Sequence, residues 1–353
     1  MKRGNEFAKR PHGLPRTRKS RLAVAVLACL LHAPVYGQNS DAARMLDSMH
    51  ELPVGLGALP PLTIPADNPS SFLKIELGRR LFFDARLSGN QSMSCATCHD
   101  PAKDFSDNRA RPMGSHGSQL PRHTPSLLNA GYNSYQFWDG RVSSLEQQAI
   151  EPLTSAKEMS MTDEGVLISR LEKDKYYSAM FREVFKDGPS LSNVAKALAA
   201  FERTIVGHGS RFDRYANGDK AALTATEKNG LVLFIGKAHC ARCHDGPNFT
   251  DNNFHNIGID TGDDGRFLVT RLKEDRGAFK TPSLRNIAAH APYMHDGSIP
   301  TLDAVIDYYD RGGNPSRGKS PFIFKTGLSN GEKRDLMEFL QTLNEPAGHP
   351  EQP

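Results

Sequence analysis

Two short motifs constrain this chain more than anything else in it: Cys95-Ala96-Thr97-Cys98-His99 and Cys240-Ala241-Arg242-Cys243-His244. Each is the C-x-x-C-H pattern of c-type haem attachment. Two thiols one helical turn apart can each form a thioether to a vinyl group of one porphyrin, and the adjacent histidine is then held beneath the iron as its proximal ligand. Such a chain must fold around two large flat cofactors, anchored by Cys95 and Cys98 and by Cys240 and Cys243, with His99 and His244 as axial ligands. A C-x-x-C pair on its own also suits thiol exchange or half of a zinc site. Repetition of the whole motif, histidine included, favours two covalently bound haem c groups and leaves no thiol for a disulfide.

The fifth cysteine, Cys29, lies in a leader. Residues 1–37 carry eight Lys/Arg against Glu6 alone, then the apolar run Leu22–Leu31, then Ala33-Pro34-Val35-Tyr36-Gly37 with aliphatic or small residues at −3 and −1. This is the layout of a signal peptide cleaved near Gly37, and it directs the chain to the periplasm. A rival reading takes Val26-Leu27-Ala28-Cys29 as a lipoprotein box, although the apolar run continues past Cys29. The run is too short to span a bilayer, where about 20 residues are needed, so no membrane span is expected. The leader also accounts for the formal charge of +4: from Gln38 onward 36 basic residues face 39 acidic ones. Nucleic acid is therefore not an expected partner.

Both motifs belong to a longer duplication. Leu77-Gly78-Arg79-Arg80-Leu81-Phe82 precedes the first and Asn229-Gly230-Leu231-Val232-Leu233-Phe234 the second. Asp100…Phe105-Ser106-Asp107 matches Asp245…Phe249-Thr250-Asp251, and Thr124-Pro125-Ser126-Leu127-Leu128-Asn129 matches Thr281-Pro282-Ser283-Leu284-Arg285-Asn286. Asp139-Gly140 and Leu145 then match Asp296-Gly297 and Leu302. The expected fold is mainly α, with two cytochrome-c-like haem domains arranged as an internal duplication. After the signal peptide (1–37) the expected units are an extended, Pro-rich N-terminal arm (38–70), a first haem domain (71–215), a second (216–345) and a C-terminal tail (346–353). Leu191, Val194, Leu198, Phe201 and Ile205 share one helical face, which predicts a helix over 191–206 closing the first domain.

The copies differ where the chemistry is decided. Seven residues after Leu302, on the same helix face, stands Tyr309; seven after Leu145 stands Pro152. If this helix passes over the open side of each haem, Tyr309 offers the second iron a phenolate and Pro152 offers the first nothing. An open ferric haem can bind and cleave peroxide, whereas a closed one passes electrons. Gln148 and Glu158 flank Pro152, where an amide and a carboxylate would orient peroxide and move its proton. Trp138, the only tryptophan, occupies the position of His295 in the second copy, and would relay electrons between haems. Each of these side chains also has an ordinary structural reading, as a solvated group or a core anchor.

On Phe137-Trp138-Asp139-Gly140-Arg141, Gln148, Glu158 and Ala291-Pro292-Tyr293-Met294-His295-Asp296-Gly297, the sequence closely resembles the bacterial di-haem cytochrome c peroxidase/MauG family from about Phe72 to Leu343. The resemblance implies a peroxidatic haem on the first motif, an electron-transfer haem on the second, a tryptophan between them, and catalytic roles for Glu158 and Gln148. It places a distal ligand of the second haem at Tyr309, as in MauG-like enzymes. The family's peroxidases have methionine at that place; Met294 competes here because thioether is a familiar haem ligand, but the repeat aligns Met294 with Phe137. His116, followed by Gly117 and Pro121, resembles the peroxidase loop whose histidine caps the first iron until reduction releases it. An exposed loop histidine is the alternative there. The family also implies an interdomain calcium ion, with His123 at its expected Asn ligand and backbone carbonyls at His290 and Pro292. Histidine is a poor ligand for so hard a cation.

The resemblance thus implies a di-haem peroxidase that reduces hydrogen peroxide to water at the first haem. Its electrons would come through the second haem from a small periplasmic donor, a c-type cytochrome or a cupredoxin. The alternative is a MauG-like oxidase that uses a peroxide-derived high-valent state to oxidise residues of a partner protein. A non-catalytic di-haem electron carrier, which needs both irons capped, is the third reading. The assembly is left open between a monomer and a homodimer.

Overall fold

Among the described residues, nine α-helices begin where a Ser, Thr or Asp turns its side-chain oxygen back onto a first-turn backbone N–H. These caps are Ser71, Ser144, Asp163, Asp174, Ser190, Ser210, Thr224, Thr301 and Ser329. The computed structural model describes residues 39–345, so the leader with Cys29 and its cleavage point, and the tail at 346–353, lie outside the described residues. In chain order the helices are α1 (Asn39–Ser48), α2 (Phe72–Phe82), α3 (Leu145–Thr154), α4 (Glu164–Lys173), α5 (Lys175–Phe185) and α6 (Leu191–Glu202). They continue with α7 (Arg211–Ala216), α8 (Ala225–Ile235), α9 (Phe267–Thr270), α10 (Leu302–Asp310) and α11 (Asn330–Gln341). Among the described residues the only sheet is the antiparallel pair of β1 (Phe254–His255) and β2 (Phe279–Lys280). No helix there is long and apolar enough to cross a membrane.

The apolar faces gather into two large cores, each beside one haem motif. The first joins Leu77, Leu81 and Phe82 of α2 to Leu153 of α3, Phe181 of α5 and Val194 and Leu198 of α6. The second joins Leu231 and Phe234 of α8 to Ile306 of α10 and Leu336 and Phe339 of α11, and takes in Phe212 and Tyr215 of α7. Repeated glycines explain the tightest crossings. A Cβ on Gly78 would lie 1.9 Å from the Ala197 carbonyl oxygen of α6, and one on Gly230 2.0 Å from that of Asp335 on α11. At these two equivalent places a methyl group would force the helices apart.

Two local expectations change. Residues 39–48 of the arm are helical, not extended, because their apolar side folds onto the second core: Leu46 is buried there, Asp47 pairs with Lys228 at 2.7 Å and accepts from the Tyr215 hydroxyl at 2.9 Å. The prolines that suggested an extended arm begin only at Pro53. Helix α6 ends at Glu202, short of the apolar periodicity. Thr204 turns its hydroxyl onto the Phe201 carbonyl (2.7 Å), and the Ile205 carbonyl is taken by the Asn129 N–H (2.9 Å). Ile205 still reaches the first core, by a tighter turn.

Arg285 ties the arm to the second core. Its side chain is fully buried, donates to both carboxylate oxygens of Asp213 at 2.8 Å, and reaches the carbonyls of Pro247 and Gly57. Arg285→Met leaves Asp213 buried without its cation and is expected to lower the unfolding free energy by about 3–5 kcal/mol. Thermal unfolding followed by circular dichroism checks this, and restoring part of the loss with Asp213→Asn in the same chain isolates the stranded charge as its cause.

Candidate active site

The two C-x-x-C-H motifs fold alike. Cys95–Thr97 and Cys240–Arg242 are single 3-10 turns, after which the His99 and His244 N–H groups bond back to the Cys95 and Cys240 carbonyls at 2.9 Å. Each imidazole Nδ1 lies 3.0 Å from a carbonyl oxygen, that of Phe105 in the first copy and of Phe249 in the second. Nδ1–H donates there, so Nε2 keeps its lone pair for a metal. Both phenylalanines adopt left-handed φ values, 57° and 53°. The next residue locks each turn, Ser106 Oγ bonding the Thr124 carbonyl at 2.9 Å and Thr250 Oγ1 that of Thr281 at 2.7 Å. Burial holds both imidazoles neutral, lowering the pKa of His99 and taking His244 to about 4.

Both motifs open into one cavity of about 940 Å³. Four cysteines without disulfide partners and two neutral, oriented imidazoles line it, and this donor set fits two covalently attached haem groups.

Above the motifs lie the copied helices α3 and α10. Leu145 and Leu302 are their first residues, capped by Ser144 and Thr301, so Pro152 and Tyr309 fall at the same point along each. Both line the cavity. The neighbouring Tyr308 is turned away, its hydroxyl donating to the Ile257 carbonyl at 2.8 Å. Burial pushes the Tyr309 phenol above its ordinary range, and the Cys243 and Cys240 sulfurs are near enough to oppose its ionisation further. Met294 also lines the cavity, from a loop turn with φ 76° that matches Phe137 at 65°.

Gln148 and Glu158 line the first motif's side of the cavity. Burial raises the Glu158 pKa, although Ser155 and Arg141 oppose the shift, and burial likewise raises the Cys98 thiol, with the Asp107 and Glu158 charges adding to it. His116 is not brought to this site. It sits exposed at a turn between Met113 and Gln119 and does not line the cavity. Gly114 is pressed so close to the Lys157 carbonyl that a Cβ would lie 1.8 Å away, and the Ser115 N–H bonds the Glu158 carbonyl at 2.8 Å. These contacts fix the base of the turn and leave its tip outside.

Trp138 lies where the two lobes meet, its indole N–H donating to the His123 carbonyl at 2.9 Å and its ring set edge-on to His295 at 6.4 Å. The same neighbourhood does not suit the implied calcium ion. The His123 ring Nδ1 is 2.6 Å from the Arg109 carbonyl, its own carbonyl is taken by Trp138, and burial keeps the imidazole neutral. That is a nitrogen side chain already engaged where a hard cation needs oxygen.

Sequence reading passed over two ionisable groups on the cavity wall. Glu202 is buried, with one carboxylate oxygen lacking a hydrogen-bond partner, and burial pushes its pKa up to about 8. Its signal was its position four residues after Leu198, on the apolar face of α6. Lys280 is buried with its ammonium on the Thr281 carbonyl at 3.1 Å, and burial lowers its pKa to about 8. It stands opposite His123 in the repeat. Cys243, Asp251 and His255 also cluster, but Cys243 belongs to the haem motif, and His255 is occupied by Asp251 at 2.8 Å.

The chain is similar to known proteins over most of its length. A family model described as di-haem cytochrome c peroxidase matches residues 73–221, and one described as RoxA-like, cytochrome c-like matches residues 278–313. The methylamine utilization protein MauG of Methylorubrum extorquens is 43% identical over 289 residues, covering 80% of this chain and 82% of that protein. The cytochrome c551 peroxidase of Nitrosomonas europaea is 37% identical, covering 70% and 76%. Among solved structures, a MauG-like protein associated with microbial copper homeostasis superposes with a TM-score of 0.77 at 36% identity, covering 82% of this chain and 94% of that one. This chain is a member of the di-haem cytochrome c peroxidase/MauG family, an oxidoreductase with two haem-motif lobes.

Proposed function

We propose that this is an exported, periplasmic enzyme that reduces hydrogen peroxide to water at the first motif, with electrons arriving through the second. The observation that carries the reading is the exchange of Tyr309 for Pro152 at one position of the copied helix. Haem bound at His99 supplies peroxide cleavage, and haem bound at His244 supplies electron exchange. The protein's own residues do the rest. Pro152 brings no donor atom to the wall above the first motif, while Tyr309 brings its phenol to the wall above the second. Gln148 offers its amide to orient peroxide, and Glu158 takes the proton from one peroxide oxygen and returns it to the other as water leaves. Hydrogen peroxide takes up two electrons and two protons and gives two waters. Trp138 sits at the seam between the lobes, on the route for those electrons, which a small c-type cytochrome or cupredoxin would deliver.

Tyr309 and the exposed His116 favour a second reading, in which the oxidising equivalents are spent on residues of a partner protein. An anionic oxygen ligand favours higher iron oxidation states, and no histidine from the 113–119 turn closes the first site.

Three measurements test these assignments. Mass spectrometry of the intact mature chain is expected to show two haem additions, falling to one in Cys240→Ala/Cys243→Ala. Rapid mixing of the diferric protein with equimolar hydrogen peroxide is expected to change the Soret band at once. Silence until one-electron reduction would instead show that the His116 turn closes over the site. Because burial raises the Glu158 pKa, its basic form is lost as pH falls through that raised value, so the rate should climb with pH across it. Glu158→Gln should flatten that profile and slow the reaction by about 10²–10⁴-fold.

A further inference from the structure

The two lobes meet along a seam at which the repeat makes several contacts reciprocal. The His123 N–H donates to the His295 carbonyl, and the Lys280 N–H to that of Trp138, each at 2.7 Å. His123 and Lys280 are equivalent in the repeat, as are Trp138 and His295. Close approaches are reciprocal too. A Cβ on Gly140 would lie 2.2 Å from the Phe254 ring, and one on Gly297 2.4 Å from the Ala110 Cα, Phe254 and Ala110 again being equivalent.

Two arginines break the symmetry: Arg266 of the second lobe donates to the Asp139 and Gly140 carbonyls at 2.9 and 2.6 Å, and Arg122 makes an ionic fork. Arg122, whose equivalent is Phe279, lies over that ring at 5.5 Å and sends its guanidinium to two carboxylates. It reaches Asp139 of its own lobe at 2.6 Å, and grips both oxygens of Asp263 in the other lobe at 2.7 and 2.9 Å. All three side chains are largely buried. Asp139 is the residue after Trp138 in the chain, so the planar fork ties the backbone beside the indole to the opposite lobe. A lysine, with a single ammonium, does not reproduce that fork.

We propose that Arg122 is a positioning residue that fixes Trp138 at the seam, and that this cross-link joins the lobes without a calcium ion. The inference rests on the reading that Trp138 carries electrons between the two sites. Four observations converge on it: the fork bridges both lobes, it adjoins Trp138, it has no counterpart in the repeat, and His123 is unsuited to calcium. A loosened seam lengthens or misorients the path through the indole, so it has a kinetic signature.

The test uses the full di-haem protein. One-electron flash reduction of the diferric form starts electron exchange between the haems, whose rate is followed in the Soret region. Ultraviolet resonance Raman reads the indole N–H hydrogen bond of Trp138, unambiguous because the chain has one tryptophan. Metal analysis and dialysis against a chelator report on calcium. Arg122→Gln is expected to retain both haem spectra, weaken the indole hydrogen-bond signature and slow exchange several-fold. Asp263→Asn, which loosens only the arm to the other lobe, should move both readouts in the same direction by less, and keeps the test usable if Arg122→Gln fails to fold. Chelation should leave the wild-type rate unchanged. The proposal is overturned if Trp138→Phe slows exchange while Arg122→Gln and Asp263→Asn match the wild type. It is also overturned if calcium copurifies one per chain and its removal slows exchange. If Trp138→Phe itself exchanges at the wild-type rate, the relay reading fails first, and the positioning role falls with it.

Discussion

The hydrogen bond from each proximal imidazole to a phenylalanine carbonyl is the constraint around which both lobes are organised. It fixes the tautomer, aims Nε2 into the cavity and requires Phe105 and Phe249 to sit in a left-handed backbone conformation. That conformation costs on the order of 1–3 kcal/mol for a non-glycine residue. It persists because the following hydroxyls, Ser106 and Thr250, are tied to the Thr-Pro segments that close the turn. Helices α3 and α10 then only need to lie across the open side of a ring whose direction is already set. The helix pairs α2/α6 and α8/α11 hold that frame through glycine crossings too tight for any other residue.

Much of this was legible before any coordinates. The attachment motifs, the duplication and the Pro152/Tyr309 difference are local or periodic patterns, which a sequence carries directly. The capped starts of α3 and α10 fall at the paired leucines because Ser144 and Thr301 immediately precede them. The seam was not legible, because nothing local links Arg122 to Asp263 or Lys280 to the Trp138 carbonyl. The helical start of the arm escaped notice for a related reason: α1 is secured by Leu46 and Asp47 docking onto helices far along the chain. His116 carries a local pattern with a recognised meaning, in a turn whose base is set by packing of Gly114 against Lys157.

Electrostatics around the cavity divide along the same lines. Groups with a partner at the surface, such as Arg141 with Glu151, are compensated pairs of small energetic weight. Glu202 and Lys280 are different, each a buried ionisable group facing the cavity with its pKa driven toward the neutral form. Burial of such groups costs the fold stability unless a partner offsets it, as the Thr281 carbonyl does for Lys280.

The reciprocal seam has the form of a symmetric dimer interface, with each half offering the other the same donors, acceptors and gaps. In a dimer of separate chains, a change in one patch appears in both copies at once, and the association must survive it twice. Here the two halves share one polypeptide, and the second encounter is intramolecular. One half can then exchange an aromatic ring for a guanidinium, or a tyrosine for a proline, while the other keeps its own residue. Fusion is thus the condition that lets two copies of one haem scaffold take different chemical roles and still face each other across the same seam.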